Sequence, residues 1–370
     1  MGLSLHAHMS RLRIAFDTGP LHGSKTGIGF AVEAMLDALR YRDDVAVEPY
    51  LLSFRARTSA HERRLPLPAR FALRAWSRSA HPCADRWLGG PDVVHGTNYV
   101  VPPSSAPTVV SVYDCWFLDH PDQASPDVRR AGRVLRAAIR RGAVVHTSSH
   151  ATEAAVRRHF PGAPVCTVHL GPLLLVPPAE RSPLPQLADR PFVLAIGTVE
   201  PRKNLTTLVR AFGDVAREHP DVVLVLAGSD GGHGSAVRSA IDALGPGTSE
   251  RVLVTGRVDD AARSWLVHHA AALAYPSLDE GFGFPLLDAM QVGLPIVATS
   301  VGSIPEVAGD AALLVALHDH TALAAALGTV VADDSVRHRL IAASELQHRR
   351  FTWQRCADEL IDLYHHTISH

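Results

Sequence analysis

Hydrophobic residues in this chain recur as short runs, each followed by a polar turn and then by a helical pattern. The first run covers residues 12–16 and precedes a glycine-bearing turn and an amphipathic helix, whose apolar face contains Val32, Met35, Leu36 and Leu39. Runs of the same kind follow at 92–95, 108–112 and 143–149. Alternation of buried strands with helices predicts a parallel sheet that is wrapped by helices.

A second series with the same pattern begins after a proline-rich stretch at 172–191. Its apolar runs lie at 192–196, 222–227, 252–255, 272–275 and 295–298. Proline-rich polar segments without periodicity are typical of linkers, and 370 residues exceed one ordinary core. The sequence therefore predicts an N-terminal domain at 1–180, a C-terminal domain at 181–350 and a final helix at 351–370. Both domains are predicted to be α/β and doubly wound.

Polar side chains follow two of the strands in the first series. The sequence His95-Gly-Thr-Asn98 ends one strand, and Tyr113-Asp114 ends the next. Ligand groups of open parallel sheets lie at the carboxyl ends of strands. These residues are therefore candidates for a binding site.

The stretch at 276–290 is the most informative part of the chain. Glu280 precedes Gly281 and Gly283, and a second acid, Asp288, follows eight positions after Glu280. Pro285 suits the first turn of a helix, and the free N–H groups of a helix start attract anions. Carboxylates accept hydrogen bonds from sugar hydroxyls. A phosphate site beside sugar-binding acids is the chemistry that a nucleotide-sugar requires.

A second segment, at 197–205, places adjacent cations after a buried strand and Gly197. Arg202 and Lys203 are the cations, and Lys203 is one of only two lysines in the chain, the other being Lys25. Breaking a bond between sugar and diphosphate builds negative charge on the leaving oxygen, which preorganised cations stabilise without a metal ion. The alternative is that the pair is simply solvated.

Together the two segments resemble the signatures of retaining glycosyltransferases of family 4 (glycosyltransferase group 1), which have the GT-B fold. The family signature is E-x7-E, and Asp288 stands at its second acid. The resemblance implies two Rossmann-like domains that face a cleft, with the last helix returning to the first domain. The opening segment, Phe16-Asp-Thr-Gly-Pro-Leu21 with the predicted turn Thr26-Gly-Ile-Gly29, resembles mannosyl- and rhamnosyltransferases in particular.

The resemblance also implies roles for individual residues. The catalytic group is Glu280, Arg202, Lys203 and Asp114. Donor contacts are implied at Gly27, Gly29, Gly197, Val258, Gly281, Phe282, Gly283, Phe284 and Asp288. Acceptor-side contacts are implied at Lys25, His95, Asn98 and Tyr113, with Tyr113 standing where the family commonly has histidine.

Charge is distributed unevenly although the formal net charge is only −1. Residues 1–180 contain 21 Lys and Arg against 15 Asp and Glu. Arginines are concentrated between Arg55 and Arg86, interleaved with aromatic residues, and again between Arg129 and Arg141. One interpretation is a solvated helix face, and the other is contact with an anionic acceptor or a membrane surface. No nucleic-acid-binding motif accompanies the charge.

The rest of the composition indicates where the protein resides and whether it needs a cofactor. No apolar run approaches a membrane span and no signal peptide is evident, so we expect a cytoplasmic protein, with the inner membrane face as a place of contact. The four cysteines are scattered without a C-x-x-C pair, and no metal or other cofactor is expected.

The sequence thus predicts a retaining, metal-independent enzyme. It would move a hexose-type sugar from a nucleotide diphosphate sugar to a hydroxyl acceptor. That acceptor would be a polysaccharide or glycolipid intermediate, anionic or lipid-linked, or a small natural product. The alternatives are another GT-B activity, such as nucleotide-sugar epimerisation, and a non-catalytic subunit that binds sugar nucleotides.

Overall fold

A computed structural model of the chain describes residues 11–23, 26–56, 58, 61–187 and 189–370. Their contacts divide the chain into two compact units, one made of 1–171 with 352–370 and the other of 172–351. The predicted boundary at 180–181 lies later in the chain than the observed one. The proline-rich stretch at 172–191 therefore belongs to the second unit instead of separating the two.

The first unit contains one fully parallel sheet. Its strands, among the described residues, are β1 (Leu12–Asp17), β2 (Val45–Leu52), β3 (Arg63–Leu65), β4 (Val93–Gly96), β5 (Thr108–Val112), β6 (Val144–Thr147) and β7 (Val165–Thr167). The spatial order is β3-β2-β1-β4-β5-β6-β7. The direction in which strands are added reverses between β1 and β4, which defines the switch point of this sheet.

Helices of the first unit follow its strands in the predicted alternation. They are α1 (Gly27–Arg40), α2 (Ala69–Trp76), α3 (Asp85–Leu88), α4 (Trp116–Asp119), α5 (Pro126–Arg140) and α6 (His150–His159). Helix α1 buries Val32, Met35, Leu36 and Leu39, the apolar face expected from the sequence. Trp76 of α2 is buried in the core beneath the sheet and donates a hydrogen bond to the Pro82 carbonyl.

The second unit repeats this architecture. Its described strands are β8 (Phe192–Ile196), β9 (Val223–Ala227), β10 (Val252–Gly256), β11 (Ala272–Tyr275), β12 (Ile296–Thr299) and β13 (Ala312–Val315). All pair in parallel, in the order β10-β9-β8-β11-β12-β13. The prediction of two doubly wound parallel sheets is confirmed.

Among the described residues, seven further α-helices belong to the second unit, and one more follows near the end of the sequence. They are α7 (Leu205–Glu218), α8 (Gly234–Asp242), α9 (Asp260–His269), α10 (Phe284–Gln291), α11 (Ile304–Ala308), α12 (His320–Ala332), α13 (Asp334–His348) and α14 (Trp353–Ser369). Helix α14 belongs to the first unit, where it packs against α1, β4 and β5. Its buried face includes Leu360 and Tyr364.

Candidate functional site

The residues predicted to bind the donor are concentrated at the switch point of the second sheet. Strands β8 and β11 are neighbours there, although β9 and β10 lie between them in sequence. The loop that leaves β8 contains Arg202 and Lys203, and the loop that leaves β11 contains Glu280. Parallel strands present these loops at one edge, which is where ligands of open α/β sheets bind.

Glycine permits the backbone shape of the Glu280 loop at two positions. Gly283 has a φ of 95°, in the left-handed region, immediately before α10, whose first turn contains Pro285. Gly302 comes so close that an added Cβ would lie 2.8 Å from the Glu280 nitrogen. The amide of Ser303 also donates a hydrogen bond to the Glu280 carbonyl at 3.0 Å. The loop is therefore packed closely against the residues that follow β12.

The Glu280 carboxylate is buried and is bound by two cations. Lys203 Nζ lies 2.5 Å from Oε1, and Arg202 Nη1 lies 2.7 Å from Oε2. Ser277 donates a third hydrogen bond to Oε1 at 2.7 Å. Burial alone would raise the pKa of Glu280, but the charges of Lys203 and Arg202 lower it to about 2. The carboxylate is therefore ionised at neutral pH.

Lys203 is held by an aromatic residue as well as by Glu280. Its Nζ donates to the Tyr275 hydroxyl at 3.1 Å and lies 4.8 Å from the centre of the Tyr275 ring. Burial lowers the pKa of Lys203, and the carboxylate of Glu280 opposes that shift. Tyr275 was not singled out from the sequence because the last residue of a buried strand is usually a core residue.

Backbone contacts fix the two loops against each other. Leu278 N donates to the Arg202 carbonyl at 2.8 Å, and the Asn204 side-chain amide donates to the Pro276 carbonyl at 3.1 Å. Asn204 has a φ of 52°, a left-handed conformation that asparagine tolerates better than most residues. These contacts between the loops therefore hold Arg202 and Glu280 next to each other.

The second acid of the signature lies on α10 and is bound to α9. Asp288 is fully buried, and its Oδ2 forms an ion pair with Arg263. Its Oδ1 is also buried and has no hydrogen-bond partner among the described residues. Burial raises the pKa of Asp288 to about 6 in spite of the Arg263 charge. Arg263 was not predicted, since a single arginine on an amphipathic helix resembles any solvated residue.

Three more of the predicted donor residues belong to the second unit. Gly197 follows β8 with a φ of 139°, and an added Cβ would lie 3.4 Å from Lys203 Cε. Val258 is half-buried between β10 and α9, and Gly281 lies in the Glu280 loop. Donor contacts by these three residues stay predictions.

The two phenylalanines of the signature have packing partners of their own. The Phe282 ring is buried edge-on against Phe284 and Phe351, with centroid distances of 5.4 and 5.8 Å. Phe284 begins α10. These contacts anchor the loop in the hydrophobic core, while direct contact of either ring with a donor stays a prediction.

In the first unit, three predicted residues lie at the carboxyl ends of β4 and β5. The Asn98 Oδ1 atom and the Tyr113 hydroxyl are buried atoms without a hydrogen-bond partner among the described residues. Asp114 accepts a hydrogen bond from the amide of Trp116, the first residue of α4, at 3.2 Å. The strand-end positions agree with a binding edge, and the assigned roles stay predictions.

The predicted turn at 26–29 is helical in the structure. Gly27 begins α1 and is exposed, whereas Gly29 is buried within the first turn. A short glycine pair is compatible with either shape, and the apolar face that follows favours continuing the helix. Lys25 lies outside the described residues.

His95 was predicted to lie on the acceptor side, and the structure places it in the core of the first unit. Its Nδ1 lies 2.7 Å from the Tyr364 hydroxyl, and its Nε2 lies 2.8 Å from Ser111 Oγ. Ser111 Oγ also lies 2.8 Å from His146 Nδ1, and His146 Nε2 lies 3.3 Å from the Val168 carbonyl. All four side chains are buried. Both ring nitrogens of His95 are therefore engaged within the protein.

The terminal carbonyl determines the direction of this hydrogen-bonded chain. The Val168 carbonyl only accepts, so His146 donates from Nε2 and accepts at Nδ1 from the Ser111 hydroxyl. Ser111 must then accept from His95 Nε2, which leaves His95 Nδ1 to accept from Tyr364. Burial lowers the pKa of both histidines, that of His146 to about 4, so the chain is neutral.

A cavity of about 1150 Å³ lies elsewhere in the first unit, between α14 and the residues that begin β5, β6 and β7. None of the predicted site residues lines it. The cavity lies at the amino ends of these strands, whereas Asn98, Tyr113 and Asp114 lie at the carboxyl ends of β4 and β5. In the described part of the chain, no helix combines the length and apolar character needed to cross a bilayer.

Comparison with known proteins assigns the family. Residues 178–347 match the family described as glycosyl transferases group 1. The chain is 30% identical over 283 residues to the O-antigen chain mannosyltransferase B of Escherichia coli, covering 74% of each sequence. It is also 36% identical over 189 residues to a D-inositol 3-phosphate glycosyltransferase of Xylanimonas cellulosilytica, covering 50% of this chain and 44% of that protein. The chain belongs to the group 1 glycosyltransferases.

Solved structures agree on the fold. Sucrose-phosphate synthase from Thermosynechococcus elongatus superposes with a TM-score of 0.72 at 20% identity, covering 97% of this chain and all of that one. Anabaena Alr3699/HepE in complex with UDP-glucose gives a TM-score of 0.71 at 18% identity, covering 95% and 98% of the two chains. The predicted GT-B fold and the glycosyltransferase class are confirmed.

Proposed function

We propose that this glycosyltransferase transfers a hexose from a nucleotide diphosphate sugar to a hydroxyl acceptor, with retention of anomeric configuration and without a metal ion. The observation that carries the proposal is the buried cluster of Glu280, Lys203 and Arg202 at the switch point of the second sheet. It holds two preorganised cations, which would neutralise a diphosphate, next to an ionised carboxylate, which would accept hydrogen bonds from sugar hydroxyls.

The contacts support different roles for the two cations and for the carboxylate of the cluster. Arg202 and Lys203 would neutralise the diphosphate as its bond to the sugar breaks. Glu280 balances their charge in the free protein and, when donor binds, would accept hydrogen bonds from the sugar ring. Because the two loops are tied by backbone contacts, this arrangement needs little reorganisation at the moment of reaction.

The charges of the same residues support metal independence. A metal ion would supply positive charge to the phosphates, a task that Arg202 and Lys203 would perform at this site. The best-defined acid of the site, Glu280, has both carboxylate oxygens bound by these cations and by Ser277. A cation would have to compete with those contacts.

Retention is what the resemblance to the retaining family 4 enzymes implies, and the residues of the site favour a route without a protein nucleophile. A double displacement needs a carboxylate free to attack the anomeric carbon, whereas Glu280 is committed to two cations. We propose departure and attack on one face of the sugar, where the leaving phosphate oxygen takes the acceptor proton. Transfer from a panel of UDP-, GDP- and dTDP-sugars in EDTA, with the product anomer read by NMR, tests this. An inverted product, or no transfer without added metal, contradicts it.

For the acceptor, we propose an anionic or lipid-linked molecule that is met at the cytoplasmic face of a membrane. Helix α2 supports this, because Phe71 is 73% exposed between the exposed Arg70 and Arg74. Helix α2 packs on α5, so the two arginine-rich segments of the sequence are adjacent. Exposed cations around an apolar ring favour an anionic bilayer surface.

Co-sedimentation with vesicles tests the surface independently of activity. The chain should bind vesicles that contain phosphatidylglycerol and not those of phosphatidylcholine alone. Phe71→Ser with Arg70→Gln and Arg74→Gln should abolish that binding. Arg217→Gln, which removes an exposed arginine from the second unit, is the matched control.

A further inference from the structure

Arg202 is bound by a second carboxylate besides that of Glu280. Its Nη2 atom donates a hydrogen bond to Glu200 Oε1 at 2.9 Å, while its Nη1 atom donates to Glu280 Oε2 at 2.7 Å. Lys203 is bound to the other oxygen of Glu280. The cluster therefore contains two cations and two carboxylates, and the formal charges of its four side chains sum to zero.

This balance of charge affects how strongly the cluster attracts a diphosphate. An anion is drawn to a place where positive charge exceeds negative charge. A guanidinium N–H that donates to a carboxylate can donate fully to a phosphate oxygen only after that carboxylate has moved away. Arg202 would therefore bind phosphate with its full strength only when one of its two carboxylate partners has left.

Glu200 is the partner that is more easily displaced. The Glu280 side chain is 6% exposed and accepts further hydrogen bonds from Lys203 and Ser277, whereas the Glu200 side chain is 32% exposed. Within the described part of the chain, Arg202 is the one side chain that donates a hydrogen bond to Glu200. A partly exposed carboxylate can be hydrated when its partner leaves, while a buried one would be left unpaired at a large cost.

The cation that Glu200 would release is accessible to a ligand. The Arg202 side chain is 18% exposed and lies in the loop that leaves β8, at the edge of the sheet where ligands of this architecture bind. Glu200 also acts on the second cation. Burial lowers the pKa of Lys203, and the charge of Glu280 and, more weakly, that of Glu200 raise it. Loss of the Glu200 charge would therefore change the electrostatic field at both cations.

We propose that Glu200 is an exchangeable counter-ion of Arg202: it neutralises the guanidinium until a diphosphate oxygen takes its place. The inference rests on the proposed function and adds to it a residue that limits how tightly the enzyme holds a nucleoside diphosphate. Glu200 weakens that binding because its contact with Arg202 has to be broken first. The same competition would help the nucleoside diphosphate to leave after sugar transfer, since Glu200 returns to Arg202 as the product departs.

The experiment measures whether removal of the Glu200 charge strengthens diphosphate binding. Calorimetry gives the affinity of UDP, GDP or dTDP, whichever wild-type protein binds most tightly, and that of the corresponding nucleoside monophosphate. Glu200→Gln keeps the size of the side chain and removes its charge. It should bind the diphosphate about fivefold more tightly than wild type does, and the monophosphate, which lacks the second phosphate group, with a smaller change.

The matched control is Asp214→Asn on α7. It removes the carboxylate of another Arg–Asp pair, the exposed pair of Asp214 with Arg217, and changes the net charge of the protein by the same amount. Both affinities should stay at their wild-type values. Equal strengthening by Asp214→Asn and Glu200→Gln would show a general effect of net charge and would overturn the proposal.

The direction of the change separates exchange from a structural role. Weaker diphosphate binding by Glu200→Gln would mean that Glu200 holds Arg202 in place, which overturns the proposal, and so does an unchanged affinity or an equal gain for both nucleotides. Wild type that binds no nucleoside diphosphate overturns the proposed function and this inference with it. The ratio of two affinities on one variant does not depend on the folded fraction, so partial unfolding of Glu200→Gln leaves the test valid.

Discussion

The Nζ atom of Lys203 lies 2.5 Å from Oε1 of Glu280, although 77 positions separate the two residues in sequence. The contact joins the two segments that most resemble the family signatures. It also means that, in the free protein, the cation expected to bind phosphate is held by the acid expected to bind sugar. Donor binding would therefore redistribute the hydrogen bonds of a cluster that already exists.

Lys203→Arg should impair donor turnover although the charge is preserved. The Lys203 ammonium is buried between Glu280 and Tyr275, and the cavity beside it has a volume of only about 10 Å³. A planar guanidinium needs more room than a compact ammonium. Steady-state kinetics should show kcat/KM reduced at least tenfold.

The control for that substitution is Arg217→Lys, on the exposed face of α7. It should leave the kinetics unchanged. Lys25→Arg, in a residue outside the described part of the chain, is expected to have a milder effect than Lys203→Arg. Equal, wild-type kinetics for all three would mean that the two lysines are accidents of composition.

Tyr275→Phe should weaken the reaction less than loss of Lys203. The substitution removes the 3.1 Å hydrogen bond to Lys203 Nζ and keeps the ring over which the ammonium lies. Loss of one such bond costs about 1–3 kcal/mol. We expect kcat/KM to fall less than it does in Lys203→Arg, and the melting temperature to fall by a few degrees. A variant with wild-type kinetics would show that Glu280 alone positions the lysine.

The pH dependence of stability should reveal the ionised state of Glu280. Its pKa is lowered in the folded protein to about 2, so its contribution is present above the unfolded value of 4.5 and is lost as pH falls toward 2. The contribution at neutral pH is about 3 kcal/mol. Glu280→Gln should therefore unfold more easily than wild type at pH 6, and the difference should disappear near pH 2. Chemical denaturation at several pH values measures it, and a constant difference contradicts the charged assignment.

Tyr364→Phe should destabilise the first unit. The Tyr364 hydroxyl starts the buried chain through His95, Ser111 and His146, and its loss leaves His95 Nδ1 without a donor. An unsatisfied buried acceptor costs about 1–3 kcal/mol. The melting temperature should fall, while nucleotide binding by the second unit is unchanged. An unchanged melting temperature would mean that another group satisfies His95.

The sequence predicts the repeated alternation of strands and helices in this fold, but it does not predict every strand. Strand β2 is missed because Pro49 and Glu48 interrupt its apolar run, yet Pro49 pairs in register with Phe16. Proline is unusual inside a sheet, so a strand that contains it resembles a loop. Strand β13 is short and half-exposed, and it too lacks a clear pattern.

The residues of the candidate site are likewise predicted only in part. Glu280, Arg202 and Lys203 are recognisable because their spacing from strands and glycines is local. Arg263 and Tyr275 are not, since their importance comes from partners that only folding brings near. His95 shows the converse, because a polar residue at a strand end resembles a ligand contact until Tyr364, 269 positions away, is seen to bind it. Pairing at that distance leaves no trace in a single sequence.

Sugar transfer by Glu280→Ala compared with wild type, in EDTA and with the preferred donor, tests the central claim most directly. The wild-type protein should transfer the sugar with chelator present. Glu280→Ala should remain folded and lose at least a hundredfold in turnover, about 3 kcal/mol of transition-state stabilisation. Near-normal turnover by a folded Glu280→Ala protein would show that the cluster of Glu280, Lys203 and Arg202 is structural and that the reaction takes place elsewhere.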